Sequence, residues 1–206
     1  MLRLDAVILK CTLDLLGALL GLIFLSPFFA LLAALIKLDS PGPVFFRQER
    51  IGKNFKPFKV IKFRTMAADA EQKLQTLLRE SSDCRAEFER YHKLHNDPRI
   101  TRLGKFLRRA HLDEFPQLWN VLVGEMSLVG PRPVLAAEVQ EMGEYAAVVL
   151  RVKPGMTGWW QVTGKHDVDY AKRIQLEGYY ISNWSLWMDF YILLKTVGIV
   201  LTSKGL

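Results

Sequence analysis

At 206 residues, half of them apolar, the chain is sized for one domain whose core leaves apolar surface to spare. Its net charge of +7 is unevenly spread: Val44 to His111 holds 17 of the 28 Lys and Arg against 8 of the 21 Asp and Glu, so one basic face carries the whole excess. Such a face attracts anionic lipid, a nucleotide diphosphate or nucleic acid, and nucleic acid is the first to be set aside, because no helix-turn-helix, zinc or RNA-binding signature occurs. Two cysteines, Cys11 in an apolar run and Cys84 in a charged one, give no disulfide framework. Cys84, His92 and His95 match no common zinc spacing, and solvent-facing side chains account for them.

The first element is Leu15 to Ile36, 22 residues without a charge. As an unbroken helix it reaches about 33 Å, enough for a bilayer core of about 30 Å. Ser26-Pro27 stands at its middle, and a proline removes a helix hydrogen bond where lipid offers no replacement. A break is therefore expected there, with two halves too short to cross that dip in and return to the same face; a kinked spanning helix is the alternative. Arg3 and Lys10 before the run and Lys37, Arg47, Arg50 and Lys53 after it border both ends with positive charge, which suits a return to one side. The run is too long for a signal peptide and no small-residue cleavage site follows.

Val44 to Arg50 and Phe58 to Arg64 read as two strands around Gly52-Lys53-Asn54. Ala67 to Leu94 reads as one helix with a solvated face, and Thr101 to Arg109 as a short helix opened by Asp97-Pro98. Next comes Asp113-Glu114. Asp113 is expected to cap a helix beginning at Glu114, with Pro116 tolerated in its first turn and Phe115, Leu118 and Leu122 on one face. Two adjacent carboxylates at a helix start, near Arg108 and Arg109, can be a cap and a dipole partner and nothing more. They can equally hold Mg2+ against a diphosphate, or one can attack phosphorus. Gly124 to Pro133 and Pro154 to Gly164 are loops flanking a helix over about Leu135 to Leu150; Arg132 between Pro131 and Pro133 is a guanidinium on a stiff turn, suited to bidentate phosphate contact. The final segment, Tyr179 to Leu201, carries Tyr179, Tyr180, Trp184, Trp187 and Tyr191 before an apolar stretch too short to span, and reads as an interfacial amphipathic helix. Aromatic core packing without lipid is the other reading of that pattern.

Five ordered blocks, SPGPVFFRQERIG (Ser40 to Gly52), KFRTM (Lys62 to Met66), DPRITRLGKFLRR (Asp97 to Arg109), LDEFPQLWNVLVGEMSLVGPRP (Leu112 to Pro133) and PGMTGWWQV (Pro154 to Val162), resemble the bacterial monotopic phosphoglycosyl transferases. The last block and the tail from Asp169 to Leu201 are most similar to members that prime polysaccharide synthesis, such as O-antigen or exopolysaccharide, with a hexose 1-phosphate. The resemblance implies an α+β, mostly helical membrane-associated domain with a short β-hairpin, a re-entrant helix broken at Ser26-Pro27 over residues 1–38, and a catalytic domain with a C-terminal interfacial helix over 39–206. It implies transfer of hexose 1-phosphate from a UDP-sugar, UDP-galactose or UDP-glucose foremost, to undecaprenyl or another polyprenyl phosphate, with release of UMP. By the same resemblance Asp113 is the nucleophile, Glu114 with Asp113 binds Mg2+, Arg108 and Arg132 with Pro131 and Pro133 grip phosphate, and Lys62, Arg64 and Gln161 are further substrate contacts. The implied setting is the cytoplasmic face of the bacterial inner membrane, among membrane lipids, and a homodimer is allowed. A sugar-nucleotide hydrolase and a non-catalytic membrane scaffold are the competing readings. Three residues depart from the family's pattern: Phe55, where a Gly near the hairpin turn is expected, His111 in place of a small polar residue, and Glu125 in place of Asp.

Overall fold

The computed structural model describes residues 4–91, 94, 95, 97–164 and 169–202; His92 and Arg3 lie outside them. Helix α1 runs from Leu4 to Asp39 with Pro27 inside it, so the expected break into two halves is absent. The reason is local. Pro27 cannot donate to the carbonyl of Ile23, and the Ser26 hydroxyl does so instead at 2.8 Å, restoring the bond that the proline removes. The helix is long and apolar enough to cross a membrane. It nevertheless lies along the protein: Ala18, Leu22, Leu25, Phe29, Leu32 and Ile36, spaced three or four apart, pack into two core clusters. Its opposite face, including Leu16, Leu20, Phe24 and Leu31, is exposed.

Strands β1 (Phe45–Ile51) and β2 (Pro57–Phe63) form the expected antiparallel hairpin, pairing Phe45 with Phe63 and Ile51 with Pro57. The turn places Asn54 and Phe55 at φ 56° and 60°. Phe55 thus occupies a left-handed conformation that glycine adopts without cost. The single helix expected over Ala67 to Leu94 is two, α2 (Ala70–Glu80) and α3 (Ser82–Tyr91). Ser81 is extended between them, and its hydroxyl accepts from the backbone N–H of Cys84, so it caps a second helix rather than continuing the first. Helix α4 (Arg102–Arg109) starts on Thr101, whose Oγ1 accepts from Gly104 N. A Cβ on Gly104 would stand 2.0 Å from the Thr65 carbonyl, so glycine lets α4 meet the end of β2 backbone to backbone.

Helix α5 spans Gln117–Leu122, and β3 (Ser127–Val129) follows. The helix expected over Leu135 to Leu150 divides into α6 (Ala136–Met142) and α7 (Ala146–Val149), because Gly143 turns at φ 53°. Strand β4 (Gly155–Thr157) pairs in parallel with β3, Ser127 to Gly155 and Val129 to Thr157, so the two glycine-rich loops zip together. A Cβ on Gly155 would lie 2.1 Å from Gly130 N, which explains the glycines. Helices α8 (Trp159–Thr163), α9 (Tyr170–Ser182) and α10 (Leu186–Thr202) complete the chain. Its aromatics divide: Trp187 and Tyr191 are exposed, whereas Tyr180 is buried and hydrogen-bonds Val129 O and Asp189, and Trp184 donates to Asp189. Both readings of the aromatics thus have residues to them: Tyr180 and Trp184 pack inward, and Trp187 and Tyr191 face outward.

Candidate active site

Helix α4 ends at Arg109, and His111, at φ 55°, reverses the chain into a single 3-10 turn, Leu112–Glu114. Asp113 and Glu114 sit in that turn, and Pro116 occupies the N-cap of α5, so Asp113 is not the helix cap the sequence suggests. Proline at the cap leaves both carboxylates outside the helix and free of capping duty.

Their surroundings are built by β2 and α5. Along β2, Phe58 and Val60 pack into the core beneath α5 with Leu118 and Val121. Lys62 shares their strand face, so its amine arrives at the turn preceding α5 and meets Glu114 Oε1 at 2.5 Å. Asn120, 1% exposed, fixes the helix to the strand edge: its Oδ1 accepts from Ile61 N and its Nδ2 donates to Lys59 O and to Glu125 Oε2. Glu125, one of the departures from the family pattern, therefore completes this clamp. Sequence reasoning missed Asn120; a lone amide among apolar helix positions, QLWNVL, was the available signal.

The two acids are shifted in opposite directions. Burial and the adjacent Glu114 push the Asp113 carboxyl up, against the pull of Lys62 and Arg108. Burial also acts to raise Glu114, but Lys62, Arg132 and Gln117 outweigh it and hold its carboxyl below the usual glutamate range. No side chain among the described residues hydrogen-bonds Asp113. Arg108 is tied by Nε to Thr65 Oγ1 at 2.9 Å and lies near enough to act on Asp113.

Arg132, in the turn between β3 and α6, acts electrostatically on Glu114. Its guanidinium has no hydrogen-bond or ion-pair partner among the described residues. Pro131 is buried and Pro133 half-buried, with Pro133 O accepting from Arg50 at 3.4 Å. Two further expected contacts, Arg64 and Gln161, are engaged by backbone carbonyls. Arg64 is buried, and its guanidinium donates to the carbonyls of Ile36, Ser40 and Pro41, closing the end of α1. Gln161 donates to Met156 O and lines a small cavity with Gly130, Pro131, Gly158, Trp160 and Glu177.

No three His, Cys, Asp or Glu side chains gather as a metal cluster among the described residues. The donor set at Asp113 and Glu114 is two hard carboxylates, one already opposed by Lys62, which fits a cation such as Mg2+ that binds through one or two carboxylates and takes the rest of its shell from phosphate and water.

The family model for bacterial sugar transferases matches residues 5–203. A UDP-galactose-lipid carrier transferase of Erwinia amylovora is 46% identical over 96% of this chain and 41% of its own length. The exopolysaccharide production protein ExoY of Rhizobium meliloti is 43% identical over 95% of this chain and 87% of its own. A UDP-glucose:undecaprenyl-phosphate glucose-1-phosphate transferase of Escherichia coli is 40% identical over 92% of this chain and 39% of its own. The chain thus spans about two fifths of the first and third of these relatives.

Proposed function

Because the chain belongs to the bacterial sugar transferase family, we propose that it transfers a hexose 1-phosphate from a UDP-sugar to a polyprenyl phosphate and releases UMP, through a phosphosugar held on Asp113. The relatives' names support the donor and acceptor classes, with UDP-galactose and UDP-glucose leading. The observation that carries the chemistry is Asp113 itself: a half-buried carboxylate without a side-chain hydrogen bond, next to a second acid that Lys62 neutralises. A carboxylate that is partly shielded from water and has no side-chain donor is a stronger nucleophile than a fully solvated one.

In the proposed step, a carboxylate oxygen of Asp113 forms a bond to the sugar-linked phosphorus. The bond from that phosphorus to the bridging oxygen breaks, and UMP leaves with the electron pair. An oxygen of the lipid phosphate then bonds to the same phosphorus and restores the Asp113 carboxylate. Arg132 and Arg108 bind phosphate oxygens, and Lys62 holds Glu114 as an anion beside them. Mg2+ held by Glu114 and Asp113 would offset the diphosphate charge beside the two acids. Exchange of labelled UMP into UDP-sugars, with Mg2+ and no lipid, tests the scheme. Wild type is expected to exchange one donor and Asp113→Asn none; exchange by the variant would sink the covalent scheme. Steady release of sugar phosphate without acceptor would favour a hydrolase.

The reading of the membrane course rests on α1. Its seam of contacts from Asp14 to Ile36 holds the helix against the protein along most of its length, and the other face is apolar. We infer that this face enters the cytoplasmic leaflet and that both helix ends stay on the cytoplasmic side. Asp5→Cys and Asp39→Cys should label from the same side of sealed vesicles; opposite sides would mean a spanning helix.

A further inference from the structure

The backbone around Arg132 is held by charged side chains from three elements. Arg132 N donates to Glu177 Oε1 at 3.3 Å, on α9. Arg50, on β1, donates to Pro133 O at 3.4 Å. Glu138, on α6, accepts from Leu135 N at 2.6 Å and pairs with Arg50 at 3.5 Å and Arg173 at 3.3 Å, and Arg173 Nε reaches Glu177 Oε1 at 3.3 Å. Every charged group in this network is spent on a neighbour, yet the Arg132 guanidinium takes no part in it.

Glu177 is the anomalous member. It is 3% exposed, and its Oε2 is buried without a hydrogen-bond partner, as is Trp160 Nε1 on the same small cavity beneath Gly130 and Pro131. A buried carboxyl with half its hydrogen-bonding capacity unused costs folding free energy, so helix packing alone gives no reason for it. Its one shared oxygen joins Arg132 N to the Arg173 pair. Burial pushes the Glu177 carboxyl up, with Arg173 and Arg132 opposing in part.

We propose that Glu177 is a positioning residue for Arg132: it holds the backbone N–H of the turn so that the unpaired guanidinium stays directed to a donor's phosphates. This rests on the reading of the site as a nucleoside diphosphate site. The acceptor oxygen Oε1, which also meets Arg173 Nε, is the working part.

The test is a double-mutant cycle on binding of UDP with Mg2+, measured by calorimetry on the full chain in detergent, with melting curves as the fold check. Glu177→Met, similar in volume, is expected to weaken UDP about tenfold, and Arg132→Ala at least as much. In the Arg132→Ala background, Glu177→Met should cost less than about threefold more, because the two act through one contact. Glu177→Gln, which keeps the acceptor oxygen, should stay within about threefold of wild type. If Glu177→Met does not fold, Glu177→Asp replaces it in the cycle, since the shorter side chain withdraws the oxygen from Arg132 N. Additive losses would overturn the positioning role while leaving the site intact. Absence of UDP binding by wild type would overturn the diphosphate reading and this inference with it.

Discussion

Two regions of the molecule use the same inventory, two carboxylates and one lysine, to opposite ends. Where α1 meets β3 and α10, Asp14 accepts from Ser127 Oγ at 2.7 Å and Leu128 N at 3.1 Å, while Asp189 accepts from Tyr180, Trp184 and Lys10, the last at 2.6 Å. Every strong acceptor there has donors, and the helices are welded at a buried seam. At the 3-10 turn, Lys62 pairs with Glu114 and Asp113 is left with no side-chain hydrogen-bond donor. A satisfied acid stabilises a fold; an unsatisfied one is left for chemistry, at a cost to stability.

The sharpest way to break this comparison is Asp113→Asn, expected to lower transfer at least about a thousandfold. The same change should raise the melting temperature. A carboxyl whose pKa is higher folded than unfolded gains its proton first in the folded state, so its penalty grows as pH rises through those values and is full at neutrality. The stability gap over wild type should therefore widen between pH 4 and pH 7 melts. At the seam the sign reverses: Asp14→Ala strips the donors Ser127 Oγ and Leu128 N of their acceptor and should cost about 3 kcal/mol, or roughly 6–12 °C, in thermal melts.

Lys62→Met sharpens the contrast within the site. Glu114's lowered pKa contributes stability that is present above the ordinary glutamate value and lost as pH falls through the folded one. Without Lys62 burial remains the largest influence on Glu114, so this pH-dependent stability should shrink or vanish, followed by circular dichroism, and transfer should fall about tenfold or more. The smallest effect lies outside both regions. Phe55→Gly relieves the left-handed turn residue and should stabilise the hairpin by about 0.5 kcal/mol, read from the melting temperature.

Much of this was legible beforehand. Alternating strands around Gly52, the long apolar run and the acid pair beside Arg108 are local patterns, and local patterns fix element type. Boundaries were not: Ser81 and Gly143 each divide an expected helix, because a side-chain cap or a left-handed turn wins over helical propensity within one residue. Arg64 illustrates the limit at the site. Its place in KFRTM resembles a substrate contact, but the end of α1 brings three carbonyls to it, and that meeting spans more than twenty residues of chain. Glu177 was likewise invisible as the acceptor for Arg132 N, which comes from another part of the chain.

By itself the sequence determined the family, the apolar helix, the hairpin and the identity of the two acids, because residue type and short-range spacing decide those. Only the tertiary structure decided which acid is paired, which arginine is free, and that α1 passes Ser26-Pro27 unbroken along one face of the protein. Burial and hydrogen-bond satisfaction are properties of residues brought together from distant positions, and no window of the chain contains them.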